Sequence, residues 1–356
     1  MKIRKLCLEN FMLFPSLALD AVSGVNVICG DNSTGKTALL KIMYSVLHAY
    51  AKLPPDATKD ATVQQFVSKL QGVFRPDENK LGRLVLRRQG VSKTKIAVEL
   101  EDSSRIQLGF SSQSSKRADI LCERASSAQK TPKQPIYLPP KEIISATENF
   151  ASLYDEYHIA FEETYYDLAR LLDRPLKKGP NTAQKNRILK NFESIISGKI
   201  TQKDKKFYLN VQGSGAFEMG LVSEGYRKLA TILYLISSDS LTENAVLFWD
   251  EPETNMNPRM IRPIVDVMLE LAAMGVQLFV TTHDYFLLQE LNLAAIYPEK
   301  HPKADIQFIS LYKDDADGGR ILAQCAGTAD ELTHNSIMEE FDAATCPDRY
   351  FTVQKL

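Results

Sequence analysis

Eight consecutive residues of this 356-residue chain have the types and spacing to hold a polyphosphate. Gly30-Asp31-Asn32-Ser33-Thr34-Gly35-Lys36-Thr37 reads G-x-x-x-x-G-K-T, between an apolar run at residues 25–29 and apolar residues at helical spacing over 36–52. Successive backbone N–H groups of such a loop, with the helix N-terminus behind it, present fixed partial positive charge, and the glycines allow close approach. Lys36 has the reach for β- and γ-phosphates, and the Thr37 hydroxyl suits Mg2+. A second Mg2+ anchor belongs at the carboxyl end of another strand, where α/β sheets place ligands. Ala245-Val246-Leu247-Phe248-Trp249 leads there into Asp250 and Glu251. Asp250 is the candidate metal carboxylate; Glu251, one residue on, can orient or deprotonate a water attacking a γ-phosphate. A third apolar run, 277–281, precedes His283, and Ser223 opens a helical stretch. Read alone, His283 is a structural histidine and Ser223 an N-cap, although an N-cap is also an anion site.

Asp250-Glu251-Pro252-Glu253 resembles the D-E-P sequence of ABC-type ATPases. Two further segments agree: Leu221-Val222-Ser223-Glu224-Gly225-Tyr226-Arg227-Lys228-Leu229, with its serine 27 residues before Asp250, resembles their signature motif, and Thr281-Thr282-His283-Asp284 their switch histidine. With Leu8-Glu9-Asn10-Phe11 beside the phosphate loop, the chain resembles the SMC/RecF-like and OLD-family branch over residues 1–60 and 205–345. The resemblance implies an α/β fold, the P-loop NTPase with an ABC-type head: a mixed sheet, an antiparallel β meander and a helical lobe inserted between phosphate loop and signature. It implies ATP and Mg2+ as cofactors, Lys36, Glu251 and His283 as catalytic groups, Thr37 and Asp250 as metal ligands, and Gly30 to Thr37 with Ser223 and Gly225 as the nucleotide site. It also implies a head-to-tail homodimer, in which Ser223 of one copy meets nucleotide held at Lys36 of the other. ATPases of this kind sit in bacterial anti-phage systems such as the Septu and PARIS types. The sequence departs from the pattern in having no clear glutamine linking nucleotide to helical lobe, Gln134 being a weak candidate, and in carrying Asn257-Pro258 after the carboxylates. It leaves no room for long coiled-coil arms and shows no Toprim-like acidic constellation after His283.

The elements that must position these residues are legible from periodicity. Residues 2–8 and 25–29 read as strands, and Pro54-Pro55 ends the helix that begins at Lys36. Residues 84–86, 96–100 and 106–110 read as a meander, and the Ser- and Lys-rich 111–133 as a mobile loop. A long helix is expected over 142–172, its stripe of Phe150, Tyr154, Phe161 and Tyr165 serving packing, then a second helix over 183–197. Beyond a strand at 207–211, helix 224–236, strand 245–249, helix 258–273, strand 277–281 and helix 285–293 follow the order of a mainly parallel sheet. Residues 306–312 and 320–325 read as closing strands and 335–341 as a short helix. The expected division is 1–141, carrying the phosphate loop and meander; 142–204, a helical insertion; and 205–356, carrying signature, Asp250-Glu251 and His283.

The chain is 44% hydrophobic, with 43 Lys plus Arg against 44 Asp plus Glu, as in soluble globular proteins. Residues 1–136 hold 21 basic and 12 acidic residues and the remainder 22 and 32, so the N-terminal part is basic. Five scattered cysteines with no C-x-x-C pair argue against a disulfide framework or zinc ribbon, and a cytoplasmic location is expected. No apolar run reaches the roughly 18 to 20 residues that span a bilayer, and no signal-peptide pattern opens the chain, so no membrane partner is expected. The leading expectation is a Mg2+-dependent ATPase that acts as a dimeric sensor or regulatory subunit for a separate, nuclease-like effector. The alternative is a RecF-like repair protein whose Arg83, Arg87, Arg88, Lys93, Lys95, Lys116 and Arg117 meet DNA; a third is a scaffold with vestigial turnover. His334, Glu339, Glu340 and Arg349 have types suited to RNA cleavage, but without distinctive spacing they read as solvated surface charge.

Overall fold

The three apolar runs that precede the candidate residues lie side by side. In the computed structural model, which describes residues 1–126, 132–157, 159–177, 181–300, 304–314 and 319–345, β3 (Val25–Gly30), β11 (Val246–Asp250) and β12 (Gln277–Thr281) are buried along their whole length. They run parallel with β12 in the middle, Asp250 level with Thr281 and Thr281 with Ile28. β7 (Ile136–Leu138) extends the sheet beside β11 and β13 (Ile306–Asp314) beside β3, both parallel; β14 (Arg320–Ala326) closes the β13 edge antiparallel.

Unbroken apolar strands suit a sheet that is covered on both faces. Successive side chains point to opposite sides, so each central strand feeds two cores. Val25, Val27, Leu247, Trp249, Leu278 and Val280 enter one, together with α6 (Glu224–Ser237), α7 (Ile261–Ala273) and α8 (Tyr285–Ile296). Ile28, Val246, Phe248 and Phe279 enter the other, together with α1 (Lys36–Lys52) and α2 (Lys59–Phe74). That second core also takes one face of a five-stranded antiparallel sheet, in the order β2 (Phe14–Asp20), β1 (Ile3–Phe11), β4 (Lys93–Leu100), β5 (Arg105–Ser111) and β6 (Asp119–Glu123). Its strands alternate, with Ile96, Val98 and Leu100 inward from β4 and Lys93 and Lys95 outward. Among the described residues no helix is long and apolar enough to cross a membrane.

Several expectations are corrected. Residues 84–86 form no meander strand; a 3-10 turn, Leu81–Leu84, occupies the start of the segment, and Val85 makes only an isolated bridge to Phe11. The outer meander strand is instead β6, inside the stretch read as a loop, where Ile120 and Cys122 pair with Leu108 and Ile106; residues 127–131 of that stretch lie outside the description. The long helix expected over 142–172 is two, α3 (Phe150–Tyr157) and α4 (Glu163–Leu172), with Asn149 in left-handed geometry before the first. The break lets the aromatic stripe close on itself: Phe150 meets Phe161 edge-on at 5.2 Å and Tyr154 stacks on Tyr166 at 4.7 Å. α5 (Ala183–Ile195) follows as expected, but β8 (Gly198–Lys203), β9 (Lys206–Val211) and β10 (Gly215–Glu218) make a three-stranded antiparallel sheet where one strand was foreseen. α2 was not foreseen at all, although Thr58 caps it by accepting from the Ala61 N–H and Phe66, Leu70 and Val73 fall on one face.

A buried polar cluster joins α1, α2 and α4. Lys69 of α2, 2% exposed, donates to Asp167 and, at 2.9 Å, to Glu163, both of α4. Tyr44 of α1 donates to Asp167 at 2.6 Å, and His48 Nε2 lies 3.5 Å from the same carboxylate. Burial, reinforced by the Lys69 ammonium, pushes the His48 imidazole from 6.5 down to about 3, Asp167 opposing only in part. His48 is therefore neutral in the folded chain, while the unfolded chain takes up a proton below about pH 6.5. Its contribution to stability is complete above that pH and is lost as pH falls from 6.5 toward 3. In urea denaturation between pH 7 and pH 5, the native chain should lose stability on acidification. His48→Gln should remove up to about 1.4 kcal/mol per pH unit of that slope; an unchanged slope refutes the assignment.

Candidate nucleotide site

The phosphate loop is built by the junction of β3 and α1. Gly30, at the end of β3, has φ +133, and a Cβ there would stand 2.0 Å from the Leu311 carbonyl oxygen of β13. Gly35, at φ +94, packs against the Phe14 ring, 2.6 Å from where its Cβ would be. Ser33 is also left-handed, at φ 64. These conformations wrap the loop, and Thr34 closes it by donating to the Asp31 carbonyl at 2.9 Å. The 17-residue α1 begins without a side-chain cap and without an acid in its first turn, so its first N–H groups carry no local anion. Lys36 Nζ, largely buried, donates to the carbonyls of Gly30 at 2.8 Å and Asp31 at 2.7 Å. Burial lowers the Lys36 pKa, against the pull of Glu251 and other nearby acids. Such a donor set fits an anionic phosphate.

Asp250 ends β11 with both carboxylate oxygens hydrogen-bonded. Oδ1 accepts from the Thr281 hydroxyl at 2.6 Å and from the Thr37 hydroxyl at 3.1 Å; Oδ2 accepts from the Tyr137 hydroxyl at 2.8 Å. The two residues expected to hold Mg2+ are thus in direct contact across a sequence separation of 213 residues. Glu251 follows in left-handed geometry, φ 46, with its N–H donated to Thr281 Oγ1 at 3.0 Å. That turn aims its carboxylate at His283, whose Nε2 lies 3.3 Å from Oε1. Burial and the Lys36 ammonium lower the His283 pKa, which favours a neutral ring beside Glu251. Glu253 Oε1 accepts from the Thr282 hydroxyl at 2.7 Å and the His283 N–H at 2.9 Å, fixing the backbone that presents the imidazole.

The signature segment sits on α6. Ser223 is its N-cap by backbone geometry, φ −61 and ψ 148, but its side chain accepts no cap hydrogen bond, and the residue is exposed. Gly225 is buried in the first turn. Neither lines the cleft of about 650 Å3 that opens over the phosphate loop, bounded by Gly30, Asp31, Asn32 and His283 on one side and by α9 (Ser336–Thr345) on the other. Glu339 and Glu340 belong to that far wall, and Phe341 stacks on Tyr285 at 3.7 Å. His334 stacks on Tyr312 and Glu339 accepts from the Asn335 N–H at 3.0 Å, contacts that engage them with neighbours rather than with each other, while Arg349 lies outside the description. Gln134 precedes β7 and so lies at the end of the strand opposite Asp250.

Three supporting residues were missed from sequence. Tyr137 and Thr281 are ordinary strand residues until the sheet order puts them on Asp250. Lys228 carried a signal, a lone cation on the apolar face of α6 beside Leu229 and Ile232. It is buried and donates to the carbonyls of Thr254 at 2.8 Å, Pro252 at 3.3 Å and Glu251 at 3.4 Å, tying the signature helix to the turn that displays Glu251. Lys228→Met strands those carbonyls and should lower stability by about 2 kcal/mol in urea denaturation; an unaltered midpoint would show that the contacts carry nothing.

Solved structures of this fold include heads of SMC proteins. The crystal structure of an Smc head bound to the C-winged helix domain of ScpA matches with a TM-score of 0.55 and 14% identity, covering 92% of this chain and 98% of that one. An Smc head domain with an extended coiled coil, bound to the C-terminal domain of ScpA and derived from Pyrococcus furiosus, matches with a TM-score of 0.51 and 12% identity, covering 96% and 99%. These likenesses carry the fold alone, a P-loop head of ABC type. No curated protein matches the chain in sequence. The model of the family described as "AAA domain, putative AbiEii toxin, Type IV TA system" matches residues 25–289, a span that includes Lys36, Ser223, Asp250, Glu251 and His283. Since that span is well over half of the chain, the protein belongs to this AAA-domain family, and its fold is that of a P-loop head of ABC type.

Proposed function

We propose that the chain is a Mg2+-dependent ATP hydrolase that works as a head-to-tail homodimer and regulates a separate, nuclease-like effector in bacterial anti-phage defence. The observation that carries the reading is Glu251, turned out of β11 against His283 beside the contact between Thr37 and Asp250. Lys36 and the loop N–H groups would hold the β- and γ-phosphates, Glu251 would take the proton of the attacking water, and neutral His283 would orient it. Mg2+, held by Thr37 and Asp250, would neutralise charge developing on the phosphoryl oxygens. Ser223, with its hydroxyl unused as a cap, is suited to contact nucleotide bound by a second copy. Effector docking is in keeping with the two SMC heads, each bound to a ScpA domain. The DNA-binding alternative draws less support, because Arg83 pairs with Asp77 at 2.9 Å and Lys95 faces Glu9 at 3.6 Å.

Glu251→Gln tests the reading. With ATP, the variant should elute and scatter light as a nucleotide-loaded dimer that reverts slowly to monomer, while turnover falls by about 10²-fold or more. Normal turnover by Glu251→Gln, or the lack of any ATP-dependent change in mass, refutes it.

A further inference from the structure

A second cavity, of about 570 Å3, opens at the other end of α1, between that helix, α4 and the segment that enters β7. Its volume lies in the range of small-molecule sites. Lys52 of α1, Arg170 of α4 and Arg174 just beyond α4 line it, and none of the three has an ion-pair partner among the described residues. Of the carboxylates that face it, Asp167 is already satisfied by Lys69 and Tyr44, which leaves Asp173 alone against three cations. The floor holds His48, which is 2% exposed and whose Nδ1 has no hydrogen-bond partner. Gln134 and Tyr166 supply an amide and a flat aromatic wall. Guanidinium groups with a lysine match the oxygens of a phosphate ester, and an aromatic wall with an amide matches a base.

The geometry points to a second ligand site here, for a phosphomonoester of mononucleotide size, distinct from the phosphate loop at Lys36. It is wired to that loop's metal carboxylate. Asp167, at the cavity floor, accepts from Tyr44; the Tyr44 ring lies 5.3 Å from that of Tyr137; and Tyr137 donates to Asp250. Occupancy that shifts α4 against α1 therefore bears on Asp250 through two tyrosines, which gives the site a route to the nucleotide end of the same helix.

Binding can be read without turnover, so its failure is separable from failure of the ATPase reading. N-methylanthraniloyl-AMP is titrated by fluorescence anisotropy against the full chain carrying Lys36→Ala, which disables the phosphate loop. Saturable binding should persist, and adding Arg170→Ala with Arg174→Ala should weaken it at least tenfold. Lys52→Ala, introduced separately, should weaken it several-fold. All three side chains are exposed, so the unfolding midpoint should stay at that of the parent. Inorganic pyrophosphate should displace the probe, identifying phosphate as the recognised group; displacement by adenosine but not by pyrophosphate overturns the phosphoester class. Absence of saturable binding to Lys36→Ala, or residual binding indifferent to both the arginine pair and Lys52→Ala, overturns the site itself.

Discussion

The Asp250 carboxylate is the side chain around which the nucleotide end of the molecule is organised. It is 1% exposed, and a carboxylate at that depth is tolerable only with donors on its oxygens. The donors are three hydroxyls from three elements: Thr37 from the start of α1, Thr281 from the end of β12 and Tyr137 from β7. Satisfying one side chain therefore fixes β7 and β12 on either side of β11 and seats the phosphate-loop helix against the carboxyl end of the sheet. Hydroxyls satisfy the oxygens without cancelling the charge, as an arginine there would. The site keeps a negative charge beside Thr37, which is what a divalent cation requires.

Two buried lysines do mechanical work around that centre. Lys228 holds the carbonyls of the Glu251 turn to the signature helix, and Lys69 holds α4 to α2 beside the phosphate-loop helix. Their worth is only partly the stability lost when an apolar replacement leaves buried acceptors unpaired. What they impose is register. An ammonium with three donors and several convergent acceptors accepts only one arrangement of the elements that supply them.

The features legible from sequence were those that local chemistry decides. β12 matches its expected limits because an unbroken apolar run between turn signals has few other solutions, and the phosphate loop was recognisable because glycine, lysine and threonine at that spacing sit between a strand and a helix. The misses belong to residues whose role is set by partners far along the chain. Residues 142–172 have helical periodicity throughout, yet the break before Glu163 gains aromatic contacts that no window can see. β6 hides in a Ser- and Lys-rich stretch because only Ile120 and Cys122 face inward, and it is a strand by virtue of pairing with β5. Tyr137 has no motif; its place on Asp250 follows from the sheet order alone.

One chain presents only half of what the proposed chemistry calls for. Its cleft has the phosphate loop and His283 along one wall and the acidic start of α9 along the other, where the Glu339 and Glu340 carboxylates offer an incoming triphosphate no donor. The chain's own signature serine is elsewhere, exposed, with a hydroxyl that caps nothing, and beside it Leu221 is 76% exposed. In the proposed dimer both residues would belong to the closing surface. Under a two-fold arrangement, Leu221 and Ser223 of each copy would close over the other's loop, supplying the missing donor and covering the apolar residue in the same step.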